Sequence, residues 1–553
     1  MSAPRAAARR TRRSPWALLL AAVLAWLVVY PLLIVAGDAF RADVGAFARS
    51  PAEWGALWAS VWTSTASVGL AAMVGVPLAF VFERYDFPGR KTLGALVALP
   101  AVMPPLVGVI AFQFLYGESG FVSRAIQAVL GTAHAPWRLQ GPVAILLVHA
   151  YSMYVYFYLF TRAGLARLDA SMLEAAASLG AGPWRTFRRV TLPLLKPALA
   201  GAALLTFKTA LASFSAPYIF GGGFRTMTTQ IVATKLNGDD AMAMLETAAL
   251  TIIAVLVFVG IQKTEGDRLV VSVGKGTPPA LRRIANPVTR RLAAAAGWLL
   301  TTLLLLPHAT LLLVSLVPDG TWTIQALPPR YSTGNYATLF QDAERLRPLL
   351  NSLWMAAVAT AAALALAVAA GQVVARGKGR LAGVVSALVT LPWAVPGTVL
   401  AIALAALFSV RSALTLRWVL VGTAVILPLA YTIRSLPLAG RAVFAGFRQL
   451  DPSLDEAAQS LGAGRWRRLW RVTLPLLKPA LAAGGGLAFI TALGDFVVSI
   501  LLYTFDTRPI SIEILSSLRL GSVGVAAAFG VVLMVVSAVA LGVSARVGAA
   551  GVA

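Results

Sequence analysis

Long apolar runs alternate with short cationic segments along this chain. Apolar stretches of about twenty residues recur, each long enough to cross a ~30 Å hydrocarbon core as a helix. The pattern predicts twelve helical spans. The first six lie at about 16–36, 57–82, 94–115, 142–162, 197–220 and 245–262. The second six lie at about 296–317, 350–374, 382–407, 417–437, 480–503 and 525–545. A membrane barrel would show short alternating strands instead. Two spans break the apolar rule, the fifth at Lys208 and the eleventh at Asp495.

The two sets of six repeat one another. Glu174-Ala-Ala-Ala-Ser-Leu-Gly180, nine residues, then Val190-Thr-Leu-Pro193 recurs as Glu456-Ala-Ala-Gln-Ser-Leu-Gly462, nine residues, then Val472-Thr-Leu-Pro475. Of the 27 positions from Glu174 to Ala200, 22 are identical at an offset of 282. Leu99-Pro100 with Pro104 matches Leu391-Pro392 with Pro396, and Trp62 matches Trp354, at an offset of 292. The extra residues of the first copy are assigned to a loop within 117–140. With six spans in each half the repeat is parallel, about a pseudo-two-fold axis along the membrane normal. The expected division is a first half at 1–262, a linker at 263–291 and a second half at 292–553. The linker assignment rests on Gly274, Gly276, Pro278, Pro279 and Pro287 interleaved with arginines.

Composition agrees with a polytopic all-α membrane protein. Hydrophobic residues make up 58% and charged residues 12%, against about a quarter charged in soluble domains. The net charge of +25 could suggest nucleic acid, but its placement argues for membrane topology. In the twelve-span reading 33 Lys/Arg fall on the side of Glu174 and Glu456 and 13 on the other, with Lys208 inside a span. The positive-inside rule then makes the Glu174 side cytoplasmic, together with both termini. Arg5, Arg9, Arg10, Arg12 and Arg13 precede a first apolar run longer than the core of a cleaved signal peptide, which reads as an uncleaved first span. No cysteine is present, which excludes disulfides and thiolate sites.

The repeated loops have a legible local structure. Asp451-Pro452 fits a helix cap followed by proline at the first helical position. Asp455 and Glu456 in the early turns suit the helix dipole, and Gly462 suits a left-handed C-cap. A second short helix is expected over about Arg465 to Val472, with Leu474-Pro475 turning the chain into span eleven. The first loop repeats this with Asp169, Glu174, Gly180, Pro183 and Pro193. Trp184 and Trp466 are apolar anchors of the kind found at interfaces. Arg185, Arg188, Arg189, Arg467, Arg468 and Arg471 supply charge for steering or lipid contact. A helix that only binds lipid headgroups is the plain alternative.

Each loop resembles the E-A-A-x-x-x-G-x9-I-x-L-P loop of binding-protein-dependent ABC importer permeases, with Val for Ile. The resemblance covers nearly the whole chain and points to the fused, two-half permeases of the ferric-iron, thiamine and polyamine group. It implies that the loops, about 169–196 and 451–478, are cytoplasmic coupling helices that dock a separate ATPase, expected as a dimer. The docking residues it implies are Glu174, Ala175, Ala176, Gly180, Trp184 and Arg185, with Glu456, Ala457, Ala458, Gly462, Trp466 and Arg467. It also implies a periplasmic or surface solute-binding protein as a second partner. Ser213 to Pro217 and Gly221 to Thr229 look most like iron-type permeases, with thiamine, polyamine or phosphonate as alternatives.

The chain offers no catalytic constellation. Gly377-Lys378 is the nearest approach to a phosphate-cradling loop, but Gly379 follows where Ser or Thr is required. ATP is therefore expected on a partner, with no cofactor, metal or nucleic acid on this chain. His134, His149 and His308 are far apart and read as packed or interfacial residues. Lys208, Ser213 and Asp495 are the pathway candidates, since charges inside a membrane face protein or water. A structural pairing, including Lys208 with Asp495, is the competing reading. The loops at Gly221–Arg225 and Asp506–Pro509 are either docking features or ordinary turns. An ion-driven secondary transporter is the rival class, disfavoured by the paired loops.

Overall fold

The computed structural model describes residues 15–135, 137–266, 279–322, 325, 327–376 and 379–549. The Arg5 to Arg13 cluster, Gly274, Lys275, Gly276, Pro278, Gly377-Lys378 and Ala553 lie outside the described residues.

The first half comprises α1 (Pro15–Ala39), α2 (Pro51–Arg84), α3 (Pro105–Tyr116), α4 (Gly141–Leu165), α5 (Ala170–Ser178), α6 (Leu192–Leu211), α7 (Met227–Leu236) and α8 (Asp240–Gly266). The second comprises α9 (Pro287–Ser315), α10 (Ala343–Arg376), α11 (Arg380–Thr390), α12 (Gly397–Phe408), α13 (Ile426–Gln449), α14 (Pro452–Ser460), α15 (Leu474–Leu493), α16 (Ile510–Arg519) and α17 (Val523–Ala549). One two-residue strand pair, Tyr85–Asp86 with Arg282–Arg283, ties the chain ahead of α9 to the end of α2.

Among the described residues ten helices are long and apolar enough to span, or eleven if a bent pair counts as one. The remaining expected span is α13, a 24-residue helix carrying Arg434, Arg441 and Arg448. Its start moves from the expected 417 to Ile426. Leu416, Arg417 and Gly422 have positive φ, which a helix cannot accommodate.

The third and ninth spans are broken rather than continuous. Arg90–Leu96 and α3 are separated by a tight turn at Leu99–Val102. In the second half α11 and α12 flank the turn Leu391–Trp393 and meet at 106°. Pro100, Pro104, Pro392 and Pro396 lack N–H groups and disfavour helix in the residue before them. The stretch 117–140 contains a further helix, Phe121–Leu130.

The halves share one interior. α1 packs on α11 and α12 of the second half, and α9 packs on α3 of the first. The largest apolar cluster joins Leu106, Ile110 and Phe214 to Leu404, Tyr431, Phe496 and Phe529. Phe214 and Phe496 occupy equivalent repeat positions, and their rings meet at 5.8 Å. The pseudo-two-fold axis passes between them.

A repeated glycine sets the helix spacing beside each loop. A Cβ at Gly164 would lie 2.7 Å from Leu195, and one at Gly446 would lie 2.9 Å from Leu477. These contacts let α4 approach α6, and α13 approach α15, more closely than any larger residue permits.

Candidate functional site

The two loops emerge from these close-packed pairs. Asp169 caps α5 by accepting from the Ser171 N–H at 3.0 Å, and Asp451 caps α14 by accepting from Ser453 at 2.9 Å. The bond from Ser453 holds the exposed Asp451 carboxyl below its ordinary range, because it favours the charged form. Both helices end as their glycines suggest. Gly180 and Gly462 have φ of +71° and +76°. The next N–H reaches back in each case, Ala181 to the Ala176 carbonyl and Ala463 to Ala458, both at 3.0 Å. This is a left-handed C-cap, strained for any residue bearing a Cβ.

After each cap the structure departs from expectation. The chain does not turn at Leu-Pro. It continues as one helix, Pro183–Leu211 in the first half and Arg465–Leu493 in the second. A wide turn interrupts each, at Phe187–Thr191 and Leu469–Thr473. Leu192 donates to the Phe187 carbonyl and Leu474 to Leu469, a spacing of five residues. The wide turn makes room for Pro193 and Pro475, whose rings would clash in a regular helix. The short helix after each cap is thereby continuous with its span, and α5 and α14 join it through the capped turns at 179–182 and 461–464.

The exposed surface is apolar as well as charged. No residue of α5 or α14 is buried. Leu179 and Leu461 are 86% and 89% exposed, and Trp184 and Trp466 are 71% and 73% exposed. Glu174, Ala175, Gly180, Arg185, Glu456, Ala457, Gly462 and Arg467 are exposed, while Ala176 and Ala458 are half-buried. Arg468 corrects the steering assignment. It is buried, donates to Gln459 Oε1 at 2.8 Å and pairs with Asp455 at 3.3 Å, bracing the second loop internally. The first loop has Thr186 at that position and is held by Phe187, which stacks on Trp184 and meets Phe80 edge to face.

The pathway candidates do not form one cluster. Lys208 and Asp495 are not paired with each other. Asp495 is buried and forms an ion pair with Arg434 of α13 at 2.8 Å, without hydrogen-bond alignment at that nitrogen. Its Oδ1 accepts from the Val498 N–H at 2.9 Å, capping a short turn at the break of span eleven. Gly494 beside it packs against Pro104 of the first half, where a Cβ would meet Pro104 at 2.8 Å. Lys208 reaches across the junction to Trp393 of the second half, 4.4 Å from the ring centroid.

Ser213, the repeat equivalent of Asp495, bonds instead to His149 Nε2 at 2.9 Å. His149 is buried, and its Nδ1 meets Ser67 at 2.8 Å. His308 Nδ1 meets the Tyr151 hydroxyl at 3.1 Å, and His134 is exposed. Both halves therefore link the fourth span to the fifth at one depth, by His149–Ser213 and by Arg434–Asp495. Arg434 falls at the end of the expected span 417–437 but in the middle third of α13, which starts at Ile426. The repeat offset carried the missing signal, since it aligns Arg434 with mid-helix Ser152.

The loops after the fifth spans prove to be built helix starts. Ser60 of α2 accepts from the Met227 N–H at 2.7 Å, and Ser352 of α10 accepts from Ile510 at 2.8 Å. Arg225 donates to Gln230 at 3.2 Å, and Arg508 pairs with Glu513 at 3.0 Å. Asp506 pairs with Arg347 at 2.8 Å. A cavity of about 610 Å³ opens nearby between the halves, lined by Glu118, Arg124, Asp319 and Trp322.

Residues 71–264 and 362–549 each match the family described as binding-protein-dependent transport system inner membrane component. The chain is 32% identical over 503 residues to a probable ABC transporter permease protein, y4fN, of Sinorhizobium fredii, covering 89% of this chain and 88% of that one. It is 29% identical to the ferric transport system permease protein FbpB of Actinobacillus pleuropneumoniae, over 79% of this chain and 63% of that one. It is 27% identical to the thiamine transport system permease protein ThiP of Escherichia coli, over 90% and 91% of the two chains.

Proposed function

Because this chain belongs to the binding-protein-dependent transport system inner membrane component family, as a fused two-half permease of an ABC importer, we propose that it moves ferric iron inward by alternating access. It is a multi-pass inner-membrane permease subunit rather than an enzyme. The observation that carries the mechanism is the pair of exposed, capped loops, each followed by a helix that runs into the span behind it. Glu174, Ala175, Ala176, Gly180, Trp184 and Arg185 receive one cytoplasmic ATPase subunit. Glu456, Ala457, Ala458, Gly462, Trp466 and Arg467 receive the other. Closure of the ATPase dimer draws the loops together. The continuous helices carry that movement to the junction at Lys208, Ser213 and Asp495.

In this reading the halves are 1–262 and 292–553, joined by a cytoplasmic linker at 263–291, with both termini cytoplasmic. A periplasmic binding protein delivers the solute to the opposite face, where the 610 Å³ cavity opens between the halves. Iron is supported by the likeness to the ferric permease, and thiamine by the end-to-end likeness to ThiP. Uptake assays decide between them. The chain is co-expressed with its ATPase and binding protein in cells lacking other iron and thiamine importers. ATP-dependent accumulation of radioactive iron, unaffected by excess thiamine, is the expected result. Thiamine accumulation without iron uptake would overturn the solute assignment.

A further inference from the structure

The repeat places opposite charges at one position. Ser60 and Ser352 hold equivalent helix starts, and at the same offset of 292 Glu53 of α2 corresponds to Arg345 of α10. Arg225, Gln230 and Thr234 correspond to Arg508, Glu513 and Ser517 at an offset of 283, and Glu246 of α8 to Phe529 of α17. In the second half the buried acid is compensated. Arg508 pairs with Glu513 at 3.0 Å, and Arg345 adds a second attraction. In the first half the acids stand where the second half has Arg345 and Phe529. Glu53 and Glu246 are 5% and 0% exposed and lie in hydrogen-bond contact with each other.

Their bonds account for only half of their oxygens. Gln230 Nε2 donates to Glu53 Oε1 at 3.0 Å, and Thr234 Oγ1 donates to Glu246 Oε1 at 2.7 Å. Oε2 of each carboxyl is buried without a donor. No cation acts on Glu246. The charged groups of the neighbouring elements are engaged elsewhere. Lys235 pairs with Asp240 at 2.6 Å, and Arg41 with Asp38 at 3.2 Å. Arg49 donates to the Gly45 carbonyl, and Asp43 and Asp239 cap Ala46 and Met242. Lys208 of α6 lies against Trp393, and His149 of α4 lies between Ser67 and Ser213. Glu83 and Arg162 pair at the far end of α2, beside the repeated loops, and α12 carries no titratable side chain. Arg225 is exposed and reaches the acids only through Gln230, whose Oε1 accepts from it at 3.2 Å.

Two buried carboxylates in contact, without a countercharge, cannot both stay ionised. A proton between the two Oε2 atoms satisfies both at once. We propose that Glu53 and Glu246 hold one shared proton, which takes the place that arginine fills in the second half and locks α2 to α8 on the face opposite the repeated loops. The pair then carries one negative charge rather than two, and Gln230 links that charge to Arg225. Direct contact between the carboxyls makes a proton, rather than a metal ion, the occupant. Loss of the proton at alkaline pH sets two like charges side by side and should loosen α2 from α8. The inference needs neither an ATPase nor a solute.

Infrared spectra of the full-length chain in lipid nanodiscs, recorded near neutral pH, report the proton directly. Wild-type chain should show the carbonyl band of an un-ionised carboxylic acid. The band should move on deuteration and on labelling with carbon-13 glutamate, which assigns it without any variant. Glu53→Gln and Glu246→Gln should each remove it. The amide donates the bond that the shared proton supplies and keeps the pair at one negative charge, so both variants should fold. Denaturant unfolding in detergent micelles at a series of pH values is the second readout. The folded pair keeps a proton that the separate carboxyls of the unfolded chain release in the ordinary carboxylate range. Above that range stability therefore falls as pH rises, by a slope worth about one proton, until the folded pair releases it. Each glutamine variant should lose that part of the slope. Absence of the band, a band that survives both variants, or equal slopes in wild type and Glu246→Gln would overturn the proposal. Stabilisation of the wild type but not of Glu246→Gln by sodium or calcium ions would also overturn it, by making the occupant a metal ion.

Discussion

Replacing Arg434 by Met tests whether the junction between the halves is held as the structure describes. The ion pair spans 2.8 Å, and the Asp495 side chain is 3% exposed. Without Arg434 the carboxylate keeps its bonds from Val498 and Ser499, at 2.9 and 3.4 Å, but has no countercharge. Breaking a buried pair from one side costs about 3–5 kcal/mol. Asp495→Asn preserves an oxygen for the Val498 N–H and leaves Arg434 partly exposed, so its cost is expected nearer ~1–3 kcal/mol. In the double variant neither charge remains, and its destabilisation should fall short of the sum by ~2 kcal/mol or more. Denaturant unfolding of the purified chain in detergent micelles measures all four corners of this cycle. Additivity within ~0.5 kcal/mol would refute the reasoning, because it would mean that the two residues do not interact.

Ser60→Ala and Ser352→Ala each leave a helix-starting N–H buried without an acceptor, at Met227 and Ile510. Each should cost ~1–3 kcal/mol in the same unfolding assay. Arg468→Ala removes the internal brace of the second loop and should weaken ATPase capture without lowering the yield of inserted protein. Thr186→Ala, at the equivalent place, removes only a 3.3 Å bond to the Ala181 carbonyl and should weaken capture far less. The depressed Asp451 carboxyl gives a pH sign. Its cap on α14 is fully present above the ordinary carboxylate range and is lost as pH falls through its lowered folded value. Helix content in a peptide spanning 449–464 should therefore drop on acidification, and the Asp451→Asn peptide should respond less, through Asp455 and Glu456 alone.

Much of this architecture is legible in the sequence because the membrane imposes it. Apolar length marks spans, and the repeat marks the two halves without any knowledge of packing. The repeated loops are equally local. Asp169, Asp451, Gly180 and Gly462 act through backbone geometry within a few residues of themselves, so their caps can be read directly. The errors are of a different kind. Apolar length starts span ten nine residues early, because the stretch from Arg417 to Val425 is apolar yet carries left-handed turns. That shift hid Arg434, the partner of Asp495. The expected turn at Leu-Pro failed because a wide helical turn absorbs the proline upstream of it. Arg468 looked like its exposed neighbours, and only the fold of α14 onto the following helix brings it to Gln459 and Asp455. The meeting of Lys208 with Trp393 depends on how two halves pack, which no local pattern records.

Capture of an ATPase through the two loops is the most direct test of the permease mechanism. Gly180→Asp and Gly462→Asp, made together, place a Cβ at φ of +71° and +76° and add a charge to each exposed cap. No atom lies within 4 Å of either Cβ position, so nothing in the membrane interior is disturbed. The left-handed conformation costs most residues about 1–2 kcal/mol and Asp less, so the added charge at each exposed cap is the main perturbation. The measurement is the amount of ATPase that co-purifies with the tagged chain, per molecule of inserted chain. Wild-type chain should retain two ATPase copies, and the double variant should insert normally and retain almost none. Normal stoichiometry in the double variant would show that α5 and α14 are not the docking surface.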